Sequence, residues 1–431
     1  MTPLKSNTVV DRAGMTLVEM LVATAATLML MGAVAQVFSV FGSAVTNSRS
    51  IIEQDNRLRT VAWRLRTDLA GATARTLPPL SAAEGEGYFE VIEGPLNDQT
   101  AAIGTTILGA DTDDVLLFTT RNSETPFLGK ADMAMIESPT AEVAWFVGVT
   151  PVTSNPATYT LYRRQLLVVG YAGFTPFAAN NNTTNFTTWN AFYDAYDISA
   201  RREGALLVPN TLADLTRREA RFLHNPAGIT NGTGFPYAVT AAAPGRIFDA
   251  SLSSPRVGED VVLDNVLTFD VRVFDPAAPV SISGDSAAVP GDTGFVAGSA
   301  TANGCYVDLG NGTLTAGPSG VVPRFGSTAR GNYRGQVFGL ANGTVWDTWS
   351  THYESNGVDE DGGSGVDQGS NGLDDTVGSH VQNGSVDEPE EQETSPPYPF
   401  PLRGIEVRIR VYEPSSRQVR QVTVRHAFVP H

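Results

Sequence analysis

The residue best placed to do chemistry is Glu19, a single carboxylate at the start of an apolar run that continues to Phe41. A charged side chain near the centre of a membrane helix costs about 2.5 to 3.5 kcal/mol, so an acid in such a segment marks a functional site with a partner. Cutting the chain after Gly14 would supply that partner, because the new amino terminus of Met15 is a cation one helical turn from Glu19. Glu19 is therefore a candidate functional residue, and the Met15 amine that such a cut would create is its candidate partner.

This arrangement resembles the prepilin signature of type IV pilins and type II secretion pseudopilins. In that family glycine precedes the scissile bond and glutamate is the fifth residue of the mature chain, and Gly14, Met15 and Glu19 hold the matching positions. The usual first mature residue of the family is phenylalanine, so Met15 is a departure that remains apolar. The resemblance implies cleavage between Gly14 and Met15 by a prepilin peptidase and methylation of Met15 by an N-methyltransferase. It also implies an assembly role for Glu19 and partnership with other pilins or pseudopilins.

A plain signal anchor and a cleaved secretory signal are the alternatives for this segment. A secretory signal has an apolar core of about 7 to 15 residues. The stretch from Met20 to Phe41 is longer and matches the roughly 20 residues that cross a bilayer. Lys5 and Arg12 precede it, which predicts a single-pass protein of the bacterial inner membrane with a cytoplasmic N-terminus and the remaining chain outside the cytoplasm.

The composition excludes several function classes. The net charge of −17 argues against nucleic-acid binding. Cys305 is the only cysteine, so no disulfide can form within the chain. Neither a Gly-x-Ser-x-Gly elbow, nor a His-Glu-x-x-His helix, nor a phosphate-binding glycine loop occurs, so we expect that the protein is not an enzyme.

The order of predicted elements indicates an α+β fold. The apolar span is expected to continue as one helix with an amphipathic second half, ended by Leu77-Pro78-Pro79. Strands are predicted from β-branched and aromatic residues between turn signals. The strand predictions cover 114–120, 142–147, 158–164, 261–274, 404–412 and 418–425, the last two as a hairpin.

This succession is similar to the minor pseudopilin family of general secretion pathway protein J and to the related PilW-type minor pilins. The resemblance implies a long N-terminal helix packed on an antiparallel β-rich head, and it does not cover two large insertions. The predicted segments are the leader 1–14, the transmembrane 15–41 and amphipathic 42–77 halves of the helix, the head 78–170, an insertion 171–255, a head strand 256–275, a second insertion 276–353, an acidic loop with a Pro-rich tether 354–401, and the hairpin 402–431.

The stretch from Glu354 to Glu393 carries about a dozen carboxylates and no Lys or Arg. Asp and Asn separated by Gly suit a hard cation, because their oxygens can converge while glycine permits the sharp turn. This interpretation predicts a calcium site with ligands Asp359, Asp361, Asp367, Asn371, Asp374 and Asp375. The alternative is a solvated acidic linker, since blocks of like charge are usually disordered. An EF-hand match is poor, because Ser370 stands where the bidentate Glu belongs.

The sequence therefore favours a minor pseudopilin-like structural subunit. It would assemble through its N-terminal helix into a type II secretion pseudopilus or a type IV pilus-like fibre for protein export. The alternative is a membrane-anchored exported module whose insertions or acidic loop bind a substrate or calcium.

Overall fold

The computed structural model describes residues 14–94, 102–103, 106–107, 111–148, 152–154, 156–170, 192–193, 195–203, 206–222, 224, 241–242, 246–247, 259–284, 286–290, 292, 295–296, 299–310, 323–326, 344–359, 365–376 and 381–428. Within these residues the protein is α+β, with one long helix, α1, and antiparallel strands.

Helix α1 runs over Leu17–Ala70. The strands are β1 (Phe89–Glu93), β2 (Ala102–Ile103), β3 (Thr106–Ile107), β4 (Val115–Arg121), β5 (Phe127–Ala131), β6 (Ala134–Ser138), β7 (Thr140–Val147), β8 (Thr153–Ser154), β9 (Ala157–Leu167), β10 (Ala200–Glu203), β11 (Leu206–Pro209), β12 (Ala241–Ala242), β13 (Arg246–Ile247), β14 (Val261–Ser283), β15 (Ser286–Ala288), β16 (Ala300–Val307), β17 (Thr344–Asp347), β18 (Gly404–Glu413) and β19 (Gln418–Ala427). Short 3-10 helices occur at Ala82–Glu84, Asp214–Thr216, Arg218–Ala220, Thr351–Glu354 and Gln368–Ser370.

The main sheet has the order β17-β1-β4-β7-β9-β14-β18-β19, with β15 and β16 paired to β14 and β8 paired to β9. The six strands predicted from the sequence are confirmed as β4, β7, β9, β14, β18 and β19, and they are consecutive neighbours in that order. Strand β14 runs on to Ser283, beyond the predicted end of the head strand at residue 275. The register of its pairing with β16 shifts between Asp275 and Pro279, and this bulge accommodates Pro276 within the strand.

The helix ends at Ala70, so the prediction that it continues to Leu77 is wrong. The stop is Gly71, whose carbonyl accepts a hydrogen bond from the Arg121 amide of β4 at 2.7 Å. A Cβ on Gly71 would lie 2.3 Å from the Arg121 carbonyl oxygen, so only glycine permits this approach. The next residue, Ala72, already pairs with Thr120 as an antiparallel bridge. Sheet pairing therefore ends the helix before the prolines are reached.

The second part of α1 packs on one face of the sheet. Its buried apolar residues are Leu58, Val61, Ala62, Leu65 and Leu69. In β4, Leu116 and Phe118 join this cluster, whereas Val115 and Leu117 join a second cluster on the opposite face. Because successive strand residues face opposite sides, a sheet covered on both faces requires the continuous apolar run of β4 rather than an alternating one.

A buried ion pair fixes this part of the helix to the sheet. Asp68 accepts two hydrogen bonds from the Arg163 guanidinium of β9, each 2.7 Å long, and one from the Trp145 indole at 3.0 Å. A charged residue of an amphipathic helix is normally expected away from its apolar stripe. The structure buries Asp68, because these three donors satisfy the carboxylate.

Candidate functional site

The N-terminal segment places Gly14, Met15 and Thr16 directly before α1, and the described side chains from there to Thr46 are exposed. Among the described residues, α1 is the one helix long and apolar enough to cross a membrane. A signal sequence near an N-terminus can meet the same criterion of length and composition. For residues 15–41 the structure thus supports the prediction of a long apolar helix, and it gives neither the orientation of that helix nor the compartment of the chain.

Glu19 has a local partner that sequence analysis missed. Its carboxylate accepts hydrogen bonds from the Thr16 amide at 2.8 Å and the Thr16 hydroxyl at 2.9 Å, and its own amide donates to that hydroxyl at 3.2 Å. This reciprocal pattern is a capping box, which satisfies N–H groups left open at a helix start. The spacing Thr-x-x-Glu before an apolar run was the available signal. The predicted pairing of Glu19 with a Met15 amine needs a cut chain and stays a prediction.

Gly14 lies in open space. A Cβ added there would meet no atom within 4 Å, in contrast to Gly71. No contact in the described chain explains why residue 14 is glycine. Its glycine identity therefore has no folding role among these residues, which leaves recognition by another protein as the reason to test.

The predicted calcium ligands belong to an acidic loop that contains three turns. Asp361 lies outside the described residues, Asp359 and Asn371 are exposed, and Asp367, Asp374 and Asp375 are half-buried. Each turn contains an Asn-Gly pair whose glycine has a positive φ, namely Gly357, Gly372 and Gly384. The three preceding Asn side chains each accept the amide two residues later, at 2.7 to 2.8 Å. These are Asx turns.

Carboxylates of the loop bind the glycine amides of other turns. Asp367 accepts the Gly357 amide at 2.8 Å, and Asp374 accepts the Gly384 amide at 2.6 Å. Asn371 donates to Asp375 at 2.6 Å. The loop acids thus support the turns. In the described part of the chain, no three of the predicted ligands form a group of carboxylate oxygens within 4.8 Å of one another.

A different group of acids does converge, and it lies in the head. Oxygens of Glu93, Asp111 and Asp114 lie within 4.8 Å of one another. Glu93 ends β1, and the other two precede β4. Asp114 is held by the Val271 amide of β14 at 2.6 Å and more loosely by the Gly94 amide at 3.4 Å. All three side chains are buried, with exposures of 4%, 1% and 0%.

Burial raises the pKa values of all three carboxyl groups well above their usual range, and acidic neighbours raise them further. These neighbours include Asp113, Asp270 and Asp308, which are buried as well. Arg272 pairs with Asp270 at 3.1 Å and Asp308 at 3.0 Å. The region therefore concentrates six carboxyl groups around one described guanidinium, and such a site can hold protons or a cation.

Another buried polar cluster on the same sheet is fully neutralised. Glu90 of β1 contacts Arg218 and Arg221 at 2.8 Å each and His224 at 3.1 Å, and Asp347 of β17 contacts Arg221 at 2.8 Å. Burial raises the pKa of Glu90, but Arg218, His224 and Arg221 together bring it below its usual value. We call this cluster the closed ion-pair network, because its two acids, Glu90 and Asp347, are matched by the guanidinium groups of Arg218 and Arg221.

Sequence analysis missed both clusters. Asp114 was included only as the first residue of a strand, and Asp111, Asp113 and Glu93 were not considered. The available signal was the run Asp111-Thr112-Asp113-Asp114 immediately before a strand apolar on both faces. Acids at that boundary enter the interior together with the strand.

No protein-family model matches the chain, and no match was found among curated proteins or among solved structures.

Proposed function

We propose that the protein is a prepilin-type structural subunit, processed after Gly14 and anchored in the inner membrane by the first part of α1. As a minor pseudopilin-like subunit it would assemble through that helix into a type II secretion pseudopilus or type IV pilus-like fibre for protein export. The proposal draws on the residues Gly14, Met15 and Glu19 and on the α+β arrangement of helix and antiparallel sheet.

The observation that carries this proposal is an uncovered apolar helix surface. The apolar window of α1 has none of its residues buried within the chain. Its exposed side chains include Leu21, Leu28, Met29, Phe38 and Phe41, each more than 60% accessible. A continuous apolar surface of this length needs a cover from outside the chain. Lipid covers it before assembly, and neighbouring helices cover it in a fibre.

Mass spectrometry of the N-terminus of the membrane-embedded protein tests the processing step. We expect a chain that starts at methylated Met15. Gly14→Val should leave the leader attached, because the bulky side chain enters the peptidase site, while nothing in the fold resists the change. Gly42→Ala is the matched control, since a Cβ there also meets no atom within 4 Å. A wild-type chain that retains Met1, or normal processing of Gly14→Val, contradicts the proposal.

The role of Glu19 can be separated from its role as a helix cap. Glu19→Gln removes the charge, but it keeps the capping box, in which glutamine serves as well. Thr16→Ala removes the cap and keeps the charge. If the carboxylate neutralises an amine during assembly, fibre incorporation fails in Glu19→Gln and persists in Thr16→Ala. The reverse result assigns Glu19 to capping alone and removes the assembly role.

A further inference from the structure

The buried group of Glu93, Asp111 and Asp114 contains one carboxylate, that of Asp111, for which the described residues supply no hydrogen bond. The Asp111 side chain is 1% exposed, and neither of its oxygens has a hydrogen-bond partner among the described residues. Its backbone is held, since the Asp111 carbonyl accepts the Phe269 amide at 2.8 Å. Buried carboxylates normally accept several hydrogen bonds or meet a cation, because the unpaired charge is costly away from water.

The surroundings increase that cost. The groups that influence the pKa of Asp111, after burial itself, are the acids Asp114, Glu93, Asp270 and Asp113. A side chain that served the fold alone would be replaced here by an apolar or amide residue at a gain in stability. Three converging carboxylates at one point of the core instead form the ligand set of a positively charged group.

We propose that Glu93, Asp111 and Asp114 form a binding site for a hard divalent cation, with calcium as the ion that fits best. All three ligands are carboxylates, and oxygen-only sets favour calcium or magnesium over zinc and copper. Two oxygens on opposite sides of calcium are about 5 Å apart, from bonds of roughly 2.3 to 2.6 Å. The oxygens here lie within 4.8 Å of one another. Magnesium usually keeps several of its bound waters, and a site formed by buried side chains leaves little room for them, so we expect magnesium to bind more weakly than calcium.

The site joins segments that are distant in the sequence. Glu93 ends β1, Asp111 and Asp114 precede β4, and the Val271 and Phe269 amides of β14 hold the segment that carries the two aspartates. A bound cation would cross-link the end of β1 to the entry of β4. Calcium should therefore stabilise the folded head, since a ligand that binds only the folded state raises its stability. This inference does not depend on N-terminal processing.

The test is a calcium titration of the full chain in detergent, after removal of metals by a chelator. Thermal unfolding and calorimetry with CaCl₂ should show a rise in Tm and about one high-affinity site, and MgCl₂ should act more weakly. Asp111→Asn keeps the shape of the side chain and removes no hydrogen bond. We expect it to lower calcium affinity by at least about 10- to 100-fold, the loss seen even for groups that only support a ligand.

The double variant Asp374→Asn/Asp375→Asn is the matched control, because it removes the same charge type from the acidic loop. The proposal is supported if that variant keeps the calcium response while Asp111→Asn loses it. It is overturned if the wild type shows no response, if Asp111→Asn responds like the wild type, or if only the loop variant loses the response. Elemental analysis of unchelated wild-type protein, with about one calcium per chain expected, decides the question if Asp111→Asn does not fold.

Discussion

Strand β1 carries two buried carboxylates, Glu90 and Glu93, whose surroundings are opposite in charge. Residues of a strand that are three apart face opposite sides of the sheet. Glu90 lies on the side of Tyr88 and Ile92, where two arginines and a histidine contact it. Glu93 lies on the side of the α1 cluster, where its strongest neighbours are acids. One strand thus contributes Glu90 to the closed ion-pair network and Glu93 to the acidic group with Asp111 and Asp114.

The contrast shows that burial of an acid does not by itself indicate a ligand site. The acids of the Glu90 network are matched by guanidinium groups, so its charges balance within the chain. In the group of Glu93, Asp111 and Asp114, burial raises the pKa of each carboxyl group most, and the charged neighbours that raise it further are other acids. The ratio of buried carboxylates to buried cationic side chains therefore distinguishes a structural cluster from a candidate ligand site. Substitutions in either cluster test this distinction.

The largest expected effect is the loss of a guanidinium from the closed network. Arg221→Met removes contacts to Glu90 and Asp347 at 2.8 Å each and to the carbonyls of Leu215 and Thr216. Breaking a buried pair from one side costs about 3 to 5 kcal/mol, because the remaining carboxylates stay buried without their partner. Urea unfolding of the full chain in detergent measures this loss.

Arg217→Met is the control for that experiment. Arg217 neighbours the network in sequence, but its side chain is 25% exposed and its contact to Asp214 is 3.3 Å long. Exposed pairs of this kind contribute at most about 1 kcal/mol. Equal losses for the two arginines would contradict the distinction between the closed network and the surface.

Replacing a carboxylate by an amide should change the unfolding free energy in opposite directions at Glu90 and Asp111 when a chelator has removed metal ions. Glu90→Gln is expected to destabilise, because it leaves Arg218 and Arg221 short of a counter-charge. Asp111→Asn is expected to stabilise by on the order of 1 to 3 kcal/mol, because it removes an unsatisfied buried carboxylate. Unfolding free energies measured in the same buffer compare the two. Destabilisation by Asp111→Asn in chelator would mean that the fold itself requires that carboxylate.

The sequence predicted the centre of the sheet better than its electrostatics. Strands such as β4 and β18 could be read from apolar and β-branched runs, since local pattern determines them. Strand β17 pairs with β1 across about 250 residues of chain and gave no comparable local signal. The partners Asp68 and Arg163 are 95 residues apart and Glu90 and Arg221 are 131 residues apart, so residue types alone could not identify these pairs. The clustering of Asp and Glu in the sequence predicted a cation site in the acidic loop instead, where the carboxylates accept hydrogen bonds from turn amides.

The contribution of Glu90 to the unfolding free energy should decrease as the pH falls. The pKa of Glu90 is lower in the folded chain than its usual value of 4.5. The unfolded chain therefore takes up a proton first as the pH falls, so the stabilisation is present above about pH 4.5 and is lost below it. We expect the difference in unfolding free energy between wild type and Glu90→Gln to shrink by up to about 1.4 kcal/mol per pH unit below that point. A constant difference from pH 7 to pH 3 would contradict the assignment.

The smallest expected effect belongs to the acidic loop. Asp387 is exposed and accepts the Gly372 amide at 2.8 Å, and it has a positive φ of 54°. Asp387→Asn keeps an acceptor oxygen, and asparagine tolerates this backbone conformation. The change should alter the unfolding free energy by no more than about 0.5 kcal/mol, with or without calcium. It removes a carboxylate as Asp111→Asn does, but from an exposed residue whose carboxylate accepts a hydrogen bond. An effect above about 1 kcal/mol would show that exposed loop acids contribute as much to stability as buried ones. The ratio of buried carboxylates to buried cations would then not identify a ligand site.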